Sequence, residues 1–303
     1  MSVPTTAPIA SAPLRASRPR RFVGLLGEVT SRPNGLVGAI IVGVLVVVAV
    51  FARWLAPTSA TKQDIVSRLQ GSSSSHLLGT DELGRDLLSR LMYGTRIALG
   101  VSLVSVGVAL LIGLVLGIVA GYAGGLIDNA LVVVMDTLQA FPAVILALAI
   151  LALLGGSLRN VIIVIAVAFI PNYARVTRAL VLAAKENQWV EAERSLGARL
   201  PRLLVIHVLP NIMAPLFILM AMDIPGAIAT EAGLSFLGLG VQPPTPSWGV
   251  LLADGFQNVS QSPWGIIWAS LALMVTTFGF TMLGETLRDI VDPKLSGVRR
   301  WQR

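Results

Sequence analysis

The residues of this chain that could take part in chemistry are few, and many of them lie in one charged stretch, 186–211. It carries three acids and three arginines between long apolar flanks: Glu186, Glu191, Glu193, Arg194, Arg199 and Arg202. Ionisable groups are costly in hydrocarbon, so this stretch must lie outside the lipid. There, its charges are placed to form ion pairs with another surface.

The same stretch has the signals of a short helix. Asn187 can cap its start, Gly197 can end it, and Pro201 prevents its continuation. Three apolar residues at helical spacing form one stripe: Trp189, Ala192 and Leu196. We predict a short amphipathic helix that presses against another surface at the membrane boundary. The plainer alternative is a surface helix in an ordinary loop.

Catalytic and metal-binding chemistry find little support in the sequence. The chain has no cysteine, and its two histidines, His76 and His207, lie far apart. No G-x-x-x-x-G-K-[ST] phosphate loop occurs, and none of the lysines, Lys62, Lys185 and Lys294, follows a glycine. We therefore expect no catalytic residue, no metal site and no cofactor in this chain.

Three acids fall in or beside apolar runs, where ionisable side chains usually line a polar path or pair internally. They are Asp136, Asp223 and Glu231. A substrate pathway or gate is one interpretation, and a hydrogen bond that only packs two helices is the other. A loop rich in proline follows at 236–263, where Pro243, Pro244 and Trp248 could touch cargo or a protein that delivers it.

The elements that must position these residues are membrane helices. Of 303 residues, 54% are hydrophobic and 13% charged, with a mean hydropathy of +0.78, whereas a soluble domain carries roughly 25% charged residues. Six apolar runs are predicted spans: 35–55, 97–120, 130–154, 160–174, 211–230 and 264–282. Phe141-Pro142 interrupts the third run, so we expect a kink there. The predicted fold class is an all-α membrane protein.

The spans divide the chain into segments. Residues 1–34, rich in Pro, Ser, Thr and Ala, predict a disordered tail. The first span and an external amphipathic segment occupy 35–95, and the core occupies 96–287 with the charged loop at about 185–211. A second tail is predicted over 288–303.

The external segment runs into a string with two faces, between residues 76 and 100. Its apolar face would hold Leu87, Leu88, Leu91 and Met92. Its polar face would hold Asp81, Glu82, Arg85, Asp86 and Arg90. This pattern predicts a helix that lies in the membrane interface.

The distribution of Lys and Arg predicts the orientation. Five lie before the first span, six around the central loop and five after the last span, whereas the two facing loops later in the chain carry one and none. Positive charge accumulates on the cytoplasmic side, so both termini and the central loop are expected there. The segment after the first span is an exception, because it carries five basic residues.

The central loop resembles a known motif. Glu191-Ala192-Glu193, then Gly197 and Leu209-Pro210, resembles the EAA loop of permeases in ATP-binding cassette importers. Glu193 stands where the general pattern has alanine. His207 stands where that pattern has isoleucine, and this variant is similar to the peptide/nickel branch.

Three further strings are similar to C-type permease subunits of the peptide/nickel family. They read HLLGTDELGRDLLSRLMYGTRIALG from residue 76, EAGLSFLGLGVQPPTPSWGVLLADG from 231 and GETLRDIVDPK from 284. The likeness therefore runs from about residue 76 to 294.

The resemblance implies a type I importer permease fold with six transmembrane helices in a bacterial plasma membrane. It implies a homologous second permease, two cytoplasmic ATPase subunits that bind ATP and Mg²⁺, and an extracytoplasmic substrate-binding protein. It places ATPase coupling on Val190, Glu191, Ala192, Glu193, Arg194, Gly197 and Arg199. For the arginines, a solvated face or lipid phosphate is the alternative. The permease itself would not hydrolyse ATP.

The cargo and the transport class leave alternatives. Short peptides are favoured over a nickel complex, because no cysteine and no histidine lies in a predicted span to bind a metal. An ion-coupled secondary transporter would also explain six spans with buried acids, but it would have no need of a capped docking helix. A membrane scaffold without transport activity would have no need of the buried acids and prolines.

Overall fold

The computed structural model describes residues 27–195, 197, 199 and 202–291, without the side chains of Trp189, Ala192 and Arg194. Most of the predicted tails, at 1–26 and 292–303, therefore lies outside the described residues. The described helices, in chain order, are α1 Pro33–Leu55, α2 Leu87–Ala123, α3 Gly125–Ala140, α4 Ala143–Leu154, α5 Leu158–Lys185, α6 Gln188–Ser195, α7 Leu209–Phe236, α8 Trp248–Gln257 and α9 Trp264–Val291. A 3-10 turn at Ile65–Ser67 and a π-helical turn at Leu203–Val208 complete the order.

The long helices account for the predicted spans. Five are long and apolar enough to cross a membrane: α1, α2, α5, α7 with its preceding π turn, and α9. Helices α3 and α4 pass the same test as a pair and are bent by 89° at their break. The break falls at Phe141 and Pro142, where the sequence predicts a kink. The prediction of six spans holds with this bent pair counted as one.

Helices α2 and α5 form the central seam of the bundle. Gly113, Gly117 and Gly121 repeat every fourth residue on α2 and lie against α5. A Cβ added at Gly121 would meet the Val181 side chain at 3.0 Å, and at Gly113 it would collide with Tyr173. Small residues at this spacing let two membrane helices approach closely.

The bundle has two ends that differ in structure. The α6 end carries α6, residues 27–32 and the last turn of α9, whereas the α8 end carries α8 and residues 56–86. These two names are used below.

Some residues of the predicted tails are packed against the bundle. Val29 is buried, and its carbonyl lies so close to Gly35 that any side chain there would collide with it. Arg32 pairs with Asp289 at 3.6 Å. Residues 27–34 are thus packed against the bundle, and α9 continues to Val291 instead of ending before residue 288.

The predicted interfacial helix is wrong. Residues 76–86 contain no α-helix, and α2 begins at Leu87 and continues through the span. Gly79 and Gly84 adopt φ values of +87° and +69°, which break a helix, and the Asp86 carboxylate caps α2 by accepting from the Ser89 amide at 2.8 Å. The apolar residues continue a spanning helix rather than lying on the membrane surface.

The loop 236–263 also contains a helix that the sequence analysis missed. Helix α8 begins after Ser247, whose hydroxyl accepts from the Val250 amide at 3.2 Å. Gly249 lies directly against the backbone of α7. The high proline content of the loop concealed a ten-residue helix.

Candidate coupling helix and polar sites

Helix α6 is a short element that follows α5 and contacts its end. Val190 is 1% exposed and anchors it, and the side-chain amide of Asn187 donates to the Ala183 carbonyl of α5 at 2.9 Å. Gly197 follows the helix with a φ of +79°, in the left-handed region that favours glycine. The local sequence thus produces an anchored helix with a sharp exit turn.

The predicted coupling residues are mostly on the surface. Glu191, Gly197 and Arg199 are exposed, whereas Glu193 is partly covered and lies 3.8 Å from His207 of the π-helical turn. The predictions for the side chains of Ala192 and Arg194 lie outside the described part of the structure. Val190 serves as the inner anchor, so the surface offered to a partner is the Glu191 side of the helix.

Lys185 fixes the base of this helix, a role that the sequence analysis missed. Its ammonium group donates to the carbonyls of Gly121 and Tyr122 at 3.0 and 3.1 Å. It also lies 5.0 Å from the centre of the Tyr122 ring, within cation–π range. The ends of α2 and α5 are thereby joined just before α6.

Glu231 lies inside α7, near the loop that follows this helix. It is fully buried, and the Ser235 hydroxyl donates to it at 2.8 Å. The same hydroxyl accepts from the Val241 amide at 3.0 Å. The Ser235 hydroxyl therefore connects the Glu231 carboxylate to the loop after α7.

Asp223 and Asp136 lie nearer to the surface of the chain than Glu231. Asp223 is partly buried beside Asn172 and Tyr173 of α5. Asp136 is exposed on α3 and pairs with Arg175 of α5 at 2.7 Å. Both acids thus face the same helix.

The predicted contact residues of the Pro-rich loop differ in their exposure. Pro243 and Pro244 are exposed. Trp248 is 1% exposed, and its indole N–H donates to the Leu91 carbonyl at 3.1 Å. The expectation that Trp248 touches cargo is wrong for this conformation, because its side chain is part of the core between α8 and α2.

A buried ionic cluster at the α8 end was also missed. Arg85 donates to Asp81 at 2.6 Å and to Asp254 of α8 at 3.4 Å, and Arg90 bonds both of the same acids. Burial raises the pKa of Asp254 above its ordinary value, against the attraction of Arg90. Two positive and two negative groups thus join residues 81–90 to α8.

His76 lies at the same end of the bundle as this cluster. Its Nδ1 lies 3.0 Å from Asp86, whose second oxygen accepts from the Ser89 hydroxyl at 2.7 Å. His207 lies at the α6 end, so the two histidines share no site. Among the residues that the structure describes, no group of three or more His, Asp or Glu residues could hold a metal ion.

Comparison with known proteins places this architecture in a family. Residues 113–297, more than half of the chain, match the family described as binding-protein-dependent transport system inner membrane component. Residues 31–71 match the N-terminal TM domain of oligopeptide transport permease C. The family match covers the end of α2 and all of α3 to α9, and the second match covers α1.

Several relatives align over most of the chain. A dipeptide transport system permease protein from Alkalihalophilus pseudofirmus is 38% identical over 260 residues, which are 86% of each chain. A di/tripeptide transport system permease protein from Pseudomonas aeruginosa is 41% identical over 269 residues, covering 86% of this chain and 89% of that one. A glutathione transport system permease protein from Pectobacterium atrosepticum is 40% identical over 252 residues, covering 83% and 84%.

These matches confirm the predicted fold class and the recognised family, and with the apolar helices they indicate a multi-pass protein of the inner membrane. The chain belongs to the inner-membrane permease family of binding-protein-dependent ATP-binding cassette importers, in its oligopeptide C-type branch.

Proposed function

We propose that this chain is the permease subunit of an ATP-driven importer that takes up di- and oligopeptides. The observation that carries the proposal is the anchored α6 helix with its exposed Glu191, in a chain whose relatives are named as dipeptide, di/tripeptide and glutathione permeases. Transport of a nickel complex and ion-coupled secondary transport are not favoured.

The proposed complex contains a homologous second permease, two ATPase subunits that bind ATP and Mg²⁺, and a substrate-binding protein. The ATPase docks on α6 through Val190, Glu191, Ala192, Glu193, Arg194, Gly197 and Arg199. Closure of the ATPase pair moves α6 as a rigid body, and the Lys185 contacts transmit this motion to α2 and α5. The permease pair then alternates between inward-facing and outward-facing states. Pro243 and Pro244 are the proposed contacts for the binding protein.

The proposed orientation puts the α6 end in the cytoplasm. Because the chain has no cysteine, single cysteines can be labelled without background. Ser157→Cys and Gln257→Cys should react with a membrane-impermeant thiol reagent from outside intact cells. Gln188→Cys should react only after permeabilisation. Reaction of Gln188→Cys from outside would contradict both the orientation and the docking of an ATPase.

Transport itself is tested in proteoliposomes that contain the whole complex and its own binding protein. We expect ATP-dependent uptake of labelled di- and tripeptides, because the chain offers acids and arginines that can meet a zwitterion. Nickel chelates serve as the alternative cargo. ATP-dependent uptake of nickel without any response to peptides would reverse the assignment of cargo.

A further inference from the structure

One ridge of α5 carries three polar residues at intervals of three, and an aspartate from another helix lies beside each of them. Asn172 faces Asp223 of α7. The other two are Arg175, which faces Asp136, and Arg178, which faces Asp128, both acids belonging to α3. Residues three apart are neighbours on a helix surface, so the three polar contacts form one continuous stripe.

The two ion pairs of this stripe differ in construction. Arg178 holds Asp128 with two hydrogen bonds, at 2.5 and 2.7 Å, and the side chains are 30% and 13% exposed. Arg175 holds Asp136 with one bond of 2.7 Å, and the side chains are 55% and 57% exposed. The first pair is a partly buried brace between helices. The second pair is accessible from the space beside α5.

The position of the open pair limits what can lie there. Arg175 lies ten residues before the end of α5, about 15 Å along the helix axis. The helix is one of the candidate spans. Charged side chains at membrane depth face a bundle interior or a water-filled cavity, because exposure to lipid tails is costly. Arg175 directly follows the predicted span 160–174, so the open pair lies at the boundary of that span, where it can line the mouth of a transport path.

A cavity of about 270 Å³ lies at this pair, lined by Val132, Met135, Asp136, Arg175 and Arg178. Its size is close to the lower limit of small-ligand sites, roughly 300 Å³. The bend of 89° between α3 and α4 follows within a few residues of Asp136. A motion at this bend would change the opening of the cavity.

The charges of the pair fit the ends of a free peptide. A peptide carboxylate can replace Asp136 as the partner of the Arg175 guanidinium. The peptide ammonium group can then pair with the Asp136 carboxylate. Each charge loses one partner and gains another, so the exchange leaves no ion unpaired. A charge left without a partner in such a site would be costly.

We propose that the Asp136–Arg175 pair opens to bind the carboxylate and ammonium ends of a short peptide during its passage. This inference rests on the proposed peptide transport and deepens it, because it assigns the permease a selectivity for charged peptide ends.

Uptake of matched peptides tests this selectivity. In proteoliposomes with the same binding protein, the uptake of a free dipeptide is divided by that of its C-terminal amide. Arg175→Gln should lower this ratio about tenfold, the size of one charge-assisted hydrogen bond. Asp136→Asn should do the same for the ratio of the free to the N-acetylated dipeptide. Because the binding protein is unchanged, a change of ratio belongs to the permease.

The exposed Arg32–Asp289 pair supplies the control, because neither residue lines the cavity. Arg32→Gln should leave both ratios unchanged. If Arg175→Gln and Asp136→Asn also leave both ratios unchanged, the pair only packs two helices and the inference is wrong. Absence of any peptide uptake by the wild-type complex would instead contradict the proposed function.

Labelling gives an independent readout that does not require delivery of blocked peptides. Val132→Cys lines the cavity, whereas Val133→Cys is exposed on another side of α3. In the whole complex, a free dipeptide at high concentration should slow thiol labelling of Val132→Cys and not that of Val133→Cys. Equal labelling of Val132→Cys with the free dipeptide and without it would overturn the inference.

Discussion

The two ends of the bundle differ in how their charged side chains are buried and paired. At the α8 end, Arg90 is 1% exposed and its charge is matched by acids of the same chain. At the α6 end, Glu191 and Arg199 are exposed. A closed ionic cluster stabilises the chain that contains it, whereas an exposed set of charges is available to another protein. The buried cluster of the α8 end is thus completed within this subunit, whereas the exposed charges of the α6 end are the ones that the proposed ATPase would meet.

This difference accounts for part of the basic segment that departs from the positive-inside rule. Arg85 and Arg90 account for two of its five basic residues, and both are buried against Asp81 and Asp254. Their charges are neutralised within the fold. They therefore give little information about the side of the membrane on which the segment lies.

The largest expected effect on stability is at the α8 end. Arg90→Met removes a buried guanidinium that bonds both Asp81 and Asp254. Breaking a buried ion pair costs about 3 kcal/mol or more, so the melting temperature of the purified protein in detergent should fall clearly. Lys62→Gln, at an exposed lysine of the same end, is the control and should change little. Equal melting of both variants would show that the cluster does not hold the α8 end together.

A smaller loss is expected where α7 meets its following loop. Ser235→Ala removes the hydroxyl that donates to Glu231 and accepts from the Val241 amide. Leaving such buried groups unpaired costs about 1–3 kcal/mol. Ser260→Ala, at an exposed serine of the same end, is the matched control for the same melting measurement. An unchanged melting temperature for Ser235→Ala would mean that these contacts of Glu231 and Val241 do not stabilise the protein.

The smallest effect is expected from an ion pair at the α6 end. Arg32 and Asp289 are 3.6 Å apart, with side chains 35% and 46% exposed. Exposed pairs contribute less than about 1 kcal/mol, so Arg32→Gln should leave the melting temperature nearly unchanged. A loss as large as that of Arg90→Met would remove the distinction between the two ends.

The sequence predicts those parts of the fold that depend on local pattern. Apolar length predicts the spans, and Phe141-Pro142 predicts the break between α3 and α4. Gly197 is predicted to end the short helix, and its φ is positive. These features depend on residues close together in the chain.

The errors arise where distant residues meet. Arg85 and Asp254 are 169 positions apart, so no local pattern reveals that the polar face of residues 81–90 is buried. An arginine at a membrane surface and one in a buried ion pair have the same sequence signature. Trp248 was misjudged for the same reason, because its partner, the Leu91 carbonyl, is 157 positions away.

The central claim is that α6 couples this subunit to an ATPase, and Gly197→Val tests it most directly. Among the described residues, no atom lies within 4 Å of the place where a Cβ would stand at Gly197, and a β-branched residue is poorly tolerated at its φ of +79°. Gly43→Val is the control, since Gly43 lies within α1 and is equally open. We expect Gly197→Val to assemble with the ATPase and lose peptide uptake and peptide-stimulated ATP hydrolysis, while Gly43→Val retains both. Full peptide uptake by Gly197→Val would contradict the account.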